Sequence, residues 1–457
     1  MSLQPQGRRV SAQGMFSNGA DALSRVSGRA WLWLYEKLPY STVGLLKPWS
    51  AVSPRTHDEP IRAELFGIER LEQHAESLAA AQHTTSKPTN DGRLEARLRD
   101  NDRALRTAYH ATVASVRQAR AVTPAAEWLL DNFHLVEEQV RAIRIDLPPG
   151  FHRQLPKLID GPLKGYPRVF GLAWAFVAHT DSRFDPQMLC RFVRAYQRVQ
   201  PLTIGELWAV AITLRVVLVE NLRRLAEGIG NYQATRQEAD LLADRLLGVG
   251  GREADPADAV LGHFEGPLPT AFAVQLVQRL REQDPRIMPA LLWVDERLAA
   301  HGTTADDIVR AEQQRQGAAN VTIRNIITSM RLMSAIDWRE LFESVSLVDA
   351  MLRAESNFGA LDFPTRDQYR RAVEELARGS NCSEIEVTRL VLLATKRAAD
   401  DVQDAASARK RDPGYYLIAK GRPAFERMLG FHFTIKGWLA RADAAVGISG
   451  YLGVVAI

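Results

Sequence analysis

The 457-residue sequence predicts an all-α protein, a multi-helical array of amphipathic helices in two lobes. Three observations lead there. Apolar residues recur three and four apart over long stretches. Several of those stretches open on Ser, Thr or Asp with Glu or Gln three positions on, the signature of a capped helix start. No run of alternating β-branched residues offers a strand. Hydrophobic residues make up 46% and charged residues 25%, so the chain has the apolar surface that folding needs. Its length exceeds what one core usually serves, which calls for more than one lobe. We expect a poorly ordered leader at 1–57, a first helical lobe at 58–250, a second at 251–430, and at 431–457 a juxtamembrane segment running into an incomplete membrane-type helix.

Within the leader, the Trp31, Leu32, Trp33, Leu34 cluster is too short to span a bilayer and reads as a packing anchor, with membrane-surface contact as the alternative. From Pro60, Ile61, Leu65, Ile68, Leu71, Ala75 and Leu78 recur at helical spacing up to a polar break at 84–91. Between Arg93 and Ala119 a second stripe runs through Leu94, Leu98, Leu105 and Tyr109. Thr123 with Pro124 then opens a helix whose face is Leu129, Phe133, Val136, Val140 and Ile143. Five prolines and four glycines between Leu147 and Gly171 predict an ordered, extended connection, pinned by Phe151, Tyr166 and Phe170.

Beyond it, Asp185-Pro186 starts another helix, and Thr203 with Glu206 forms a capping box for a run that is apolar nearly all round. Arg215 interrupts that run, so it reads as a buried core helix rather than a membrane span. A composition boundary falls at 248–269. Asp337 with Glu340 opens a helix whose face extends through Trp338, Phe342 and Val345 to Leu352, and Thr365/Gln368 and Ser383/Glu386 give two further capping boxes. The last fourteen residues, 444–457, carry no charge where a spanning helix needs roughly twenty.

The formal charge of +4 is too small to imply nucleic acid, and arginines 93, 97, 99, 103 and 106 are interleaved with Glu95, Asp100 and Asp102, which reads as a solvated, salt-bridged face. Cys190 and Cys382 are far apart in sequence, which leaves neither a disulfide framework nor a cysteine-rich zinc site. His134 and Glu138 stand four apart and share a helix face, either as a surface pair or as an imidazole and carboxylate set for chemistry. His179, Asp181 and Asp185 lie close together in HTDSRFD, but Asp185 is explained as a helix cap. We therefore expect no metal and no cofactor. Elbow, phosphate-loop and dinucleotide motifs are missing, so no catalytic residue is assigned. Trp128, Tyr166 and Trp174, with His179 and Asp181, combine flat rings and polar groups suited to sugar, though an aromatic core accounts for the same residues more simply.

The blocks at 60–82, 124–140, 155–185 and 192–227, among them PAAEWLLDNFHLVEEQV and LPKLIDGPLKGYPRVFGLAWAFVAHTDSRFD, closely resemble the amino-terminal region of bacterial cyclic β-1,2-glucan synthases. Weaker likeness continues to Gly430. The resemblance implies a part of a large inner-membrane enzyme that builds glucan from UDP-glucose on itself, trims it by phosphorolysis and releases it as a ring. In that family the helical amino-terminal part precedes the first membrane segment and the family 84 glycosyltransferase domain. It implies for this chain a non-catalytic scaffold or docking role at the cytoplasmic face of the inner membrane. Its partners would be the glycosyltransferase and membrane domains, the membrane surface and β-1,2-glucan, with no nucleic acid. The candidate docking or glucan-binding residues are Trp128, His134, Glu138, Tyr166, Trp174, His179 and Asp181. The rival readings are a β-glucan-binding module and a carboxylate-dependent glycoside hydrolase.

Overall fold

The computed structural model describes residues 59–85, 94–120, 122–146, 155–249, 256, 261, 268–281, 288–400 and 409–432. The expected leader, the Trp31 cluster, Phe151 and the apolar run at 444–457 lie outside them. The described chain is all-α. In order it forms α1 (Ile68–Ala81), β1 (Thr84–Thr85), α2 (Leu94–Arg117), α3 (Pro124–Asp131), α4 (Phe133–Asp146), β2 (Lys157–Leu158), α5 (Arg168–His179), α6 (Pro186–Val199) and α7 (Ile204–Leu247). There follow α8 (Thr270–Leu280), α9 (Met288–Ala300), α10 (Ala305–Ala335), α11 (Trp338–Val345), α12 (Leu347–Glu355), α13 (Phe363–Gly379), α14 (Glu384–Asp400), α15 (Pro413–Leu417) and α16 (Arg422–Met428). The two-residue strands pair antiparallel, Thr84 opposite Leu158. None of the described helices is long and apolar enough to cross a membrane.

The helix starts follow their capping chemistry. Thr123 accepts the Ala126 N–H at 3.3 Å, and Asp185 accepts those of Gln187 and Met188 at 2.8 and 3.0 Å. Both Thr203/Glu206 and Ser383/Glu386 close as reciprocal boxes. Thr365 does not cap. Asp362 accepts its N–H at 3.2 Å, so α13 starts three residues earlier, with Pro364 in the first turn. The apolar run 338–352 is two helices, because the Ser346 hydroxyl accepts the Asp349 N–H and begins α12 afresh.

Pro60 to Gly67 is not helical, although Ile61 and Leu65 keep helical spacing. It is a strap across the end of α5, where Ala63 and Phe66 donate N–H groups to the carbonyls of Ala178 and His179 at 3.0 and 3.1 Å. Those carbonyls belong to the last turn of a helix, which has no internal partner for them.

The chain divides into two compact units. One holds Arg106–Ala119 and Gly230–Gln313. Its core sets Ala239, Leu242 and Leu246 with Phe272, Leu276 and Leu280 of α8 and Val294 and Leu298 of α9. The other holds Pro60–Leu105, Arg120–Ile229 and the chain from Gln314 onward. There α5 is buried along nearly its whole length and α7 through Val216, Val217, Val219 and Leu222, as an all-round apolar helix demands. Across α1 and α6, Arg191 pairs with Glu72, and Arg198 with Glu76 at 2.7 Å.

Candidate functional site

Three places in the second unit bring polar residues together around aromatic rings or buried carboxylates. At the first, Glu220 of α7 is 1% exposed and receives Arg97 Nε and Nη2 at 3.0 and 2.8 Å, Asn101 at 2.7 Å and Arg224 Nε at 3.0 Å. Arg97 and Asn101 sit four apart on α2, as Glu220 and Arg224 do on α7, so two helix faces supply the cluster. Burial pushes the Glu220 carboxyl up, but Arg97, Asn101 and Arg223 outweigh it and hold it down at about 2. Arg97 also donates to Tyr166 Oη at 3.0 Å, and the guanidinium carbons of Arg97 and Arg224 lie 5.8 and 5.0 Å from the centroid of the Trp174 ring. Arg97, read in sequence as one of a solvated face, is thus drawn inward.

The second place is the HTDSRFD turn. Asp181 and Ser182 both adopt left-handed backbone, φ 49° and 63°, a conformation that costs a non-glycine residue about 1–3 kcal/mol. Buried bonds hold it. Asp181 accepts from Thr322 at 2.7 Å and from Asn325 at 3.2 Å, and Arg62 approaches to 3.5 Å. Asn221 donates to Ser182 Oγ at 2.8 Å and clamps the strap by accepting the Ile61 N–H at 2.6 Å. His179 donates through Nδ1 to Glu64 O, 2.7 Å away, stacks on Phe66 with centroids 4.0 Å apart, and meets His74 edge-on. Burial and the nearby His179 lower the His74 pKa.

The third place is a cavity of about 330 Å³ at the start of α7, walled by Ile204 and Trp208 together with Arg339 of α11 and the α13 residues Phe363, Asp367, Arg370, Arg371 and Glu374. Beside it, Glu384 accepts the Ile204 N–H at 2.7 Å. Burial raises the Glu384 carboxyl, the Ile204 N–H opposes this, and Glu374 and Glu206 add to it, bringing it to about 7.

Of the residues singled out in sequence, Tyr166 and Trp174 come together around Arg97, and His179 and Asp181 share the turn. Trp128 packs on Arg324, 5.8 Å from its guanidinium carbon, while His134 and Glu138 are exposed on α4. Among the described residues no three His, Cys, Asp or Glu side chains gather to hold a metal. Sequence reasoning missed Glu220, Asn101, Trp208 and Arg370. An acidic residue inside the apolar run 207–225 was the available signal for Glu220.

No family model matches the chain. It is 37% identical over 390 residues to the cyclic beta-(1,2)-glucan synthase NdvB of Rhizobium meliloti (strain 1021), a match that covers 84% of this chain and 14% of that enzyme. The chain therefore spans about one seventh of the length of that curated relative. Over most of its length, this protein is homologous to the amino-terminal part of a cyclic β-(1,2)-glucan synthase.

Proposed function

We propose that the chain is a non-catalytic scaffold and docking region within the cyclic β-(1,2)-glucan synthase system, acting at the cytoplasmic face of the inner membrane beside the glycosyltransferase and membrane domains. The observation that carries this reading is what the polar residues of the homologous blocks do. Glu220, Asp181, Asn221, Arg168 and Glu206 are buried, and each is engaged by side chains or backbone of other segments of the chain. Arg168 holds Glu206 through Nε and Nη2 at 2.9 and 2.6 Å, and the same carboxylate closes the α7 capping box. A carboxylate whose oxygens are taken up by a buried guanidinium and a helix cap has its acceptor capacity occupied within the fold, which suits it to fixing helices.

The docking surface would lie on the described part of the connection, 155–171, and on the turn that follows α5. The purified chain, incubated with UDP-glucose, is expected to yield no glucan by chromatography of the soluble and protein-bound fractions. Clear synthesis by the chain alone would overturn the reading.

A further inference from the structure

We propose that the cavity at the start of α7 is a carbohydrate subsite that seats a glucose-type ring against Trp208. Its volume of about 330 Å³ falls at the small end of ligand pockets, which run to roughly 300–1,000 Å³. Phe342 stacks on one face of the Trp208 indole, with centroids 4.2 Å apart and planes 11° from parallel. Phe363 meets the same indole at 88°, 6.5 Å away, so the two rings make a corner. The C–H face of a pyranose packs on such a ring, which is apolar and flat.

The polar wall selects the ligand class. Arg371 pairs with Asp367 at 2.8 Å, and Glu374 pairs with Arg378, so the wall offers both donors and acceptors. Arg339 lies 5.0 Å over the Phe363 ring, and among the described residues no carboxylate pairs with it. Arg370, 0% exposed, gives Nε and Nη2 to Asp349 at 3.0 and 2.6 Å and Nη2 to Glu343 at 2.5 Å, while Nη1 has no hydrogen-bond partner. A buried donor without a partner carries a free-energy penalty. A phosphate here would meet the Asp367 and Glu374 carboxylates as well as the arginines. Sugar hydroxyls donate and accept at once, and so match both halves of the wall.

This inference is independent of the docking reading, because a chain that docks without binding sugar, or binds sugar without docking, separates the two. The test is calorimetric titration of the whole chain with the β-1,2-linked glucose disaccharide, alongside glucose 1-phosphate and inorganic phosphate. Saturable millimolar binding of the disaccharide is expected, weakened about tenfold in Trp208→Ala by loss of the stacking face. Arg339→Ala, an exposed position, should weaken it about threefold with the melting curve unchanged, and keeps the proposal testable if Trp208→Ala fails to fold. No saturation at tens of millimolar, phosphate ligands binding more tightly than the disaccharide, or wild-type affinity in Arg339→Ala would each overturn it.

Discussion

At Glu220 one buried carboxylate meets two arginine side chains within 3.0 Å and an asparagine at 2.7 Å. At Glu384 another carboxylate, also set against α7, accepts a single backbone N–H at 2.7 Å and has Glu374 and Glu206 for neighbours. Burial acts on both in the same direction, yet Glu220 ends at about 2 and Glu384 at about 7. The difference is the company each keeps. Withdrawal from water raises a carboxyl; at Glu220 several donors, two of them charged, outweigh the effect, and at Glu384 a single backbone N–H does not. The first is therefore a permanent ionic tie between α2 and α7, and the second is a group that changes charge near neutrality at the junction of α7 with α14.

Removing the Glu220 carboxylate has the largest expected effect. Glu220→Ala leaves buried guanidinium groups without their counter-ion, and urea unfolding should show a loss of about 3–5 kcal/mol. The pH dependence carries a sign. The folded Glu220 value lies below the ordinary 4.5, so its stabilisation is fully present above that value and fades as pH falls towards 2. The gap between wild type and Glu220→Gln should close over that window.

For Glu384 the sign reverses. Its folded value lies above 4.5, so the folded state holds the proton more tightly, and stability declines as pH rises from 4.5 through 7. Glu384→Gln keeps an acceptor for the Ile204 N–H and should flatten that decline, gaining about 1–3 kcal/mol above pH 7 and nothing near pH 4. A flat profile in the wild type would remove the contrast between the two carboxylates.

Two smaller effects sharpen it further. Asn221→Ala orphans the buried Ile61 N–H and should cost about 1–2 kcal/mol by chemical denaturation, with faster proteolysis of the strap at 60–67. His134→Ala and Glu138→Ala, on the exposed face of α4, should shift stability by no more than about 0.5 kcal/mol.

The all-α class was legible because periodicity and capping residues act locally: Thr123, Asp185, Thr203 and Ser383 each bond within three residues of themselves. Thr365 misled for the same local reason, since Asp362 offers a competing cap three residues before it. The strap at 60–67 was hidden because Ile61 is held by Asn221, 160 residues away, and helical spacing alone does not reveal such a partner. The same distance hid the charged cluster. Arg97 looks like one arginine of a solvated face until Glu220, 123 residues on, is brought against it. Trp208 and Arg370 meet at the cavity through tertiary packing of α7 and α13, with no motif in either segment.

The scaffold reading is tested most directly by complementation. A cyclic β-(1,2)-glucan synthase from which the homologous segment has been deleted would be assayed for glucan from UDP-glucose in membranes, with and without this chain supplied separately. No glucan is expected from the chain alone, little from the shortened enzyme, and recovery when the two are combined and co-purify. Glucan made by the chain alone would contradict the scaffold reading, as would a shortened enzyme that works equally well with and without the chain.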